Sequence, residues 1–198
     1  MTVPELRLLR DELPVYWKNL GLTKTAVEIG VYKANFSECI LKQWPGTLHL
    51  VDPWVHQPDQ MDYLNHDQPQ MEQAYLETCQ RMAPYTASGR CVIHRQFSVE
   101  AAQGDWANDL DVVYIDARHD YHSVYADLVA WFPHVKQGGI IGGHDYLDGH
   151  YQLANGTGGT EFGVKSAVAK FFGDLGYDIE KDVLVNPDPF PSWQVVVK

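Results

Sequence analysis

A chain of 198 residues is long enough to bury one full core, and its 45% hydrophobic content points to a globular fold rather than to disorder. With 26 acidic residues against 15 basic ones the net charge is -11, a surface that repels phosphate and disfavours nucleic acid and anionic membranes as partners. No stretch is apolar enough to span a bilayer, residues 1–20 lack the apolar core of a signal peptide, and Cys39, Cys79 and Cys91 form no CxxC pair, so a reduced, cytoplasmic protein is expected.

Strand-like and helix-like patterns alternate along the chain, which predicts a doubly wound α/β domain over 1–198 with a mostly parallel sheet. Residues 4–20 read as a lead-in helix, bent near Pro14, within a lead-in of residues 1–24. A first strand is predicted over 25–31, a helix over 33–43 and a second strand over 47–51, ending at Asp52. A polar, proline-bearing stretch leads to a helix from about 70 to 82 and a strand over 90–94. Ser98 then opens a short helix as a plausible N-cap. Residues 111–115 form a buried-type strand ending at Asp116, and Tyr121, Val124, Tyr125, Leu128 and Phe132 recur at helical spacing. Gly138 and Gly139 precede a strand over 140–142, and 146–160 read as a glycine-rich connector. A last helix spans Val164 to Leu175, and strand-like runs at 179–185 and 194–197 predict an antiparallel pair at the sheet edge.

In open parallel sheets ligands bind beyond the carboxyl ends of the strands. The polar residues expected there are Glu28, Gly30, Tyr32, Asp52, Trp54, Ser98, Asp116, His119, His144 and Asp145. Gly30 would let backbone approach a ligand, and the following helix start offers free N–H groups. Glu28 in this turn would repel a pyrophosphate but would tolerate an ammonium, and the GxGxxG of a dinucleotide fold is missing. Asp52 can accept hydrogen bonds from both ribose hydroxyls, or it can simply be a turn residue before Pro53. Trp54 could cover a base or pack on the sheet edge, and Ser98 could bond a base edge or only cap its helix. Asp116 ends a buried strand and therefore needs partners. Asp116, His144 and Asp145 could converge on a divalent ion, better suited to Mn²⁺, Fe²⁺ or Zn²⁺ than to Mg²⁺, or His119 or His144 could act directly as a general base.

These residues resemble class I S-adenosylmethionine-dependent methyltransferases, and more narrowly the small-molecule O-methyltransferase branch of macrocin O-methyltransferase type. The likeness rests on residues 27–32 with Phe36 and Ser37, on 50–54, on 115–121, on Asp127-Leu128, Trp131, Pro133 and Gly138-Gly139, on 144–146, and on 163–165 with Ala167-Val168. The resemblance implies a Rossmann-like seven-stranded sheet with helices on both faces and an antiparallel last strand. It implies S-adenosylmethionine as cofactor, with Glu28 and Gly30 along its methionine part, Asp52 at the ribose, Ser98 near the adenine, and Asp116 near the sulfonium and acceptor. It also implies a divalent metal on Asp116, His144 and Asp145, although the family's Asp-Asp pair is His-Asp here. Ala34 stands where the family usually has glycine. Residues 146–160 would act as a lid over a small-molecule acceptor. An NAD-linked oxidoreductase would need a phosphate-binding glycine loop, which residues 32–35 do not provide, and a catalytically silent binding module would have no use for His119, His144 and Asp145 together. Oligomeric state stays open, a homo-oligomer included.

Overall fold

Six consecutive buried residues, Leu110–Ile115, make β4, and a strand apolar on both faces must be covered on both. The computed structural model describes residues 7–58, 62, 64–152 and 159–198. Beside β4 lie β1 (Thr25–Ile29), β2 (Thr47–Val51) and β3 (Cys91–His94) on one side, and β5 (Val135–Gly143), β8 (Val183–Val185) and β9 (Trp193–Val196) on the other. The sheet order is β3-β2-β1-β4-β5-β9-β8, with β1 to β5 parallel and β9 antiparallel to both its neighbours. This is the seven-stranded, Rossmann-like arrangement predicted from the sequence.

Period-two side-chain alternation divides the core. Ala26, Leu48, Leu50, Val112 and Tyr114 face α1 (Leu13–Asn19), α2 (Asn35–Gln43) and α3 (Gln68–Ala87). Val27, Ile29, Val51, Val113 and Ile115 face α4 (Ser98–Ala101), α5 (Tyr121–Trp131) and α6 (Val164–Asp174). No helix among the described residues is long and apolar enough to cross a membrane, and Cys39, Cys79 and Cys91 are free thiols.

Several boundaries differ from the sequence reading, each for a local reason. In the lead-in, Arg10–Glu12 forms a 3-10 turn and Pro14 sits in the first turn of α1, where a proline starts a helix rather than bending it. Pro4, Glu5 and Leu6 lie outside the described residues. The first strand stops at Ile29 and the next helix starts only at Asn35, because Gly30, Tyr32 and Ala34 all take positive φ. The helix expected from about 70 begins at Gln68, with Asp67 and Gln70 closing a reciprocal capping box around it. Ser98 does not cap α4, whose N-cap is Phe97. Residues 179–182 are not strand: Asp178 caps a short α7 (Ile179–Asp182) that precedes β8. The connector expected over 146–160 contains two antiparallel strands, β6 (Asp148–Gln152) and β7 (Gly159–Gly163), and residues 153–158 lie outside the described ones.

Candidate active site

Backbone ladders run one residue past the parallel strands: Gly30 N donates to Val51 O, Asp116 N to Ile29 O and His144 N to Ile115 O. This places Asp52, Gly30, Asp116 and His144 side by side at one edge of the sheet. A cleft of about 450 Å³ opens above them, within the range of small-molecule sites. Glu28, Gly30, Tyr32, Asp52, Ser98, Asp116, His119, His144 and Asp145 all line it. Trp54 does not: it is fully buried, its indole N–H donates to Tyr32 O at 2.8 Å, and its ring packs on Tyr75. Of the two roles open to Trp54 in the sequence, packing is the observed one.

The turn after β1 is held from below. Asp52 Oδ2 accepts from the Val31 and Tyr32 amides at 2.9 and 3.0 Å, and Oδ1 accepts from the Trp54 amide at 2.7 Å. Gly30, at φ 83°, is required less by a ligand than by the neighbouring strand, since a Cβ there would collide with the Asp116 carbonyl. Glu28 is buried and accepts the Ser37 hydroxyl at 2.5 Å, and burial pushes its carboxyl up to about 8.

A second cluster gathers over β4 and β5. His119 Nδ1 lies 2.7 Å from Asp62 Oδ2, and its Nε2 lies 2.9 Å from Asp145 Oδ2 and 3.8 Å from Asp116 Oδ1. The Nε2–H is off the line for a hydrogen bond to Asp145, so that contact is an ion pair. Burial opposes the charged imidazole, but Asp116, Asp145 and Asp62 outweigh it and push His119 up to about 12. A ring so surrounded favours its charged form, which has no free lone pair and so argues against the general-base role read for it from the sequence. His144 Nδ1 lies 3.2 Å from Asp145 Oδ1 and 3.7 Å from Asp116 Oδ1. Although burial works against it, contact with His119 and His144 holds Asp145 well below the usual carboxylate range. Asp116 also bonds the Arg10 guanidinium, which lies over the Phe36 ring at 4.2 Å. Asp116, His144 and Asp145 each offer a ligand atom, and these atoms lie within 4.8 Å of one another. The strands β6 and β7 pack on α5 and α6, and Phe162 of β7 rests against the His119 ring at 5.2 Å.

Arg10, Asp62 and Asp127 also line the cleft and were not read as site residues from the sequence. Arg10 and Asp62 belong to no motif and reach the site across 106 and 57 residues of chain. Asp127 is buried on the cleft-facing side of α5, and a carboxylate at a helical position otherwise flanked by apolar residues was the available signal.

By sequence, a family model described as a methyltransferase domain matches residues 27–146. No curated protein matches the chain. Among solved structures, an O-methyltransferase family protein from Burkholderia thailandensis aligns with TM-score 0.63 and 11% identity over 95% of this chain, which spans 55% of that one's length. The O-methyltransferase TomG from Streptomyces achromogenes, involved in tomaymycin synthesis and solved in complex with SAM, aligns with TM-score 0.61 and 12% identity over 98% of this chain and 83% of its own. An rRNA methylase from Streptococcus thermophilus aligns with TM-score 0.59 and 10% identity over 96% of this chain and 98% of its own. At such identities the structures speak for the fold, whereas the family model, covering more than half of the residues, speaks for kinship. The chain belongs to the methyltransferase domain family, enzymes that draw their methyl group from S-adenosylmethionine.

Proposed function

We propose that this chain transfers the methyl group of S-adenosylmethionine to a hydroxyl of a small-molecule acceptor. The observation that carries the reading is a single cleft with two chemically distinct halves. One half has the buried acids Glu28 and Asp52 under a left-handed turn, and the other has the carboxylate–imidazole cluster of Asp116, His119, His144 and Asp145. In this reading Glu28, Gly30 and Tyr32 take the methionine end, Asp52 the ribose, and Ser98 lies toward the base. The Asp52 oxygens accept three backbone amides between them, which leaves one lone pair, on Oδ1, for a ribose hydroxyl. The O-methyltransferases among the solved structures of similar fold support a hydroxyl acceptor.

A sulfonium is already activated, so the protein must align a nucleophile with it and remove a proton. Asp62, Asp116 and Asp145 set three negative charges against Arg10 and protonated His119. The surplus of one negative charge complements the sulfonium. We assign proton removal to His144, whose Nδ1 faces Asp145 so that Nε2 can accept. The ribbon of β6 and β7 would cover the acceptor, in keeping with a lid over 146–160.

A second reading has its own observation, the three convergent donors Asp116, His144 and Asp145. Their spacing fits a divalent ion, and the mixed set suits Mn²⁺, Fe²⁺ or Zn²⁺ better than Mg²⁺. Such an ion would hold the acceptor oxygen and lower its pKa. Arg10 and His119 already pair with two of these carboxylates, so it would have to compete with them.

Thermal-shift titration with S-adenosylmethionine, S-adenosylhomocysteine and NAD tests the cofactor: the first two should raise the melting temperature and NAD should not. Stabilisation by NAD alone would overturn the reading. With methyl-labelled cofactor and a panel of phenolic and sugar hydroxyls, Asp145→Asn should lower turnover about 100-fold at unchanged S-adenosylhomocysteine affinity. Full turnover in excess chelator removes the metal; loss of turnover restored by Mn²⁺ removes the metal-free role of His144.

A further inference from the structure

Asp116, His144 and Asp145 converge, but two of the three already hold a cation. Asp116 Oδ2 accepts from the Arg10 guanidinium, and Asp145 Oδ2 lies 2.9 Å from His119 Nε2. Arg10 lines the cleft, and its place there is fixed from several sides. Its guanidinium lies 4.2 Å from the Phe36 ring centroid and 5.4 Å from that of Tyr114, and its backbone amide donates to Asp188 Oδ2 at 2.9 Å. A planar cation stacked on an aromatic face and bonded to a carboxylate loses little further freedom when a ligand arrives. Its Nε–H is buried and has no acceptor among the described residues, a cost that a ligand oxygen in the cleft would remove. Arg10 also precedes residue 27, where the methyltransferase-domain match begins, so the matched domain does not supply it.

We propose that Arg10 is the resident cation of the acceptor half: its guanidinium stands where a divalent ion would need Asp116, and it is the positive charge that faces the acceptor oxygen as its proton leaves. The proposal rests on the first of the two readings above. A metal ion and a guanidinium on one carboxylate repel each other steeply, because like charges so close are poorly screened in a cleft. Removing the arginine charge should therefore open the cluster to a metal that the wild type turns away. In the wild type the fixed cation favours the anionic form of the acceptor oxygen, the task the ion would otherwise have.

The test uses Mn²⁺ as the probe, with the free ion measured by electron paramagnetic resonance. Arg10→Gln should bind Mn²⁺ at least about tenfold more tightly than the wild type. Arg10→Lys, which keeps the charge, should resemble the wild type, and Asp116→Asn added to Arg10→Gln should cancel the gain. Wild-type binding as tight as that of Arg10→Gln overturns the proposal, as does the lack of any gain in the variant. Whatever the stability of the arginine variants, micromolar Mn²⁺ binding by the wild type that Asp116→Asn abolishes also overturns it. Among the hydroxyl compounds methylated by the wild type, Arg10→Gln in excess chelator should lower kcat/KM at least about tenfold, and Arg10→Lys by less. An unchanged kcat/KM refutes the role toward the acceptor. If the wild type binds no S-adenosylhomocysteine, the cofactor reading falls, while the Mn²⁺ comparison still decides which cation this cluster holds.

Discussion

Glu28 is a carboxyl buried by the fold with a hydroxyl, not a cation, in direct contact. Burial raises it to about 8, the Ser37 hydroxyl and Arg10 pull it down, and Asp116 and Asp52 push it further up. Near neutral pH the empty site therefore holds Glu28 largely protonated. An ammonium from the methionine end of the cofactor would favour the carboxylate, so binding should expel a proton. Calorimetry at pH 7 in buffers of different ionisation enthalpy should report release of up to about one proton, fading above pH 8 to 9 and absent in Glu28→Gln. Proton uptake, or equal release by the variant, would rule this out. The sign for the unliganded protein follows from the same raised value. The contribution of Glu28 to stability is complete below its unfolded value near 4.5 and is lost as pH rises through about 8. Glu28→Gln should therefore flatten the fall of melting temperature between pH 5 and 8.

The turn from β1 to α2 was the least legible element, although its residues were singled out. Tyr32 and Ala34 in this turn take φ of 50° and 58°, as Trp54 after β2 takes 47°, and no residue type among them announces a left-handed backbone. Asp52 over-determines the conformation by accepting the amides of Val31, Tyr32 and Trp54. Ala34→Gly should relieve about 1 kcal/mol of strain but uncover a methyl that is fully buried, so urea unfolding should shift by less than about 1 kcal/mol either way. Gly30→Ala adds a collision with the Asp116 backbone to the strain of φ 83°, and should cost about 3 kcal/mol or more. A smaller effect would mean that β1 and β4 do not approach as closely at the site as described. Legibility follows the range of the interaction. The strand over residues 47–51 carries its signal in its own alternation and appears with the predicted ends. The closing antiparallel pair was readable from its proline-rich turn, but the capped helix α7 inside the first run was not, because Ile179 and Val183 suit either state. The strands β6 and β7 were hidden because their residues are largely polar and glycine-rich, and they gain order by packing on α5 and α6. Arg10 on Asp116 and Asp62 on His119 are contacts between distant segments that no local pattern encodes.

At the scale of the whole molecule, charge separates acceptor classes that the fold alone leaves together. The same sheet serves the O-methyltransferases and the rRNA methylase compared above, and identities near 10% do not choose between them. RNA binding requires clustered Lys and Arg that give up counterions to phosphate. This chain carries 15 basic residues against 26 acidic ones. At least ten of the fifteen already lie in ion pairs, from Arg10 on Asp116 and Lys136 on Asp111 to Lys170 on Asp174 and Lys198 on Asp182. The cleft itself presents carboxylates, which would repel a phosphate backbone drawn toward the methyl donor. Fluorescence anisotropy with labelled rRNA fragments at 150 mM salt should accordingly show no binding up to about 10 µM protein, and lowering the salt should not reveal the steep affinity gain of a phosphate-contacting enzyme. Sub-micromolar binding with a strong salt dependence would move the acceptor from metabolites to RNA and would require a basic surface that the paired lysines and arginines do not offer.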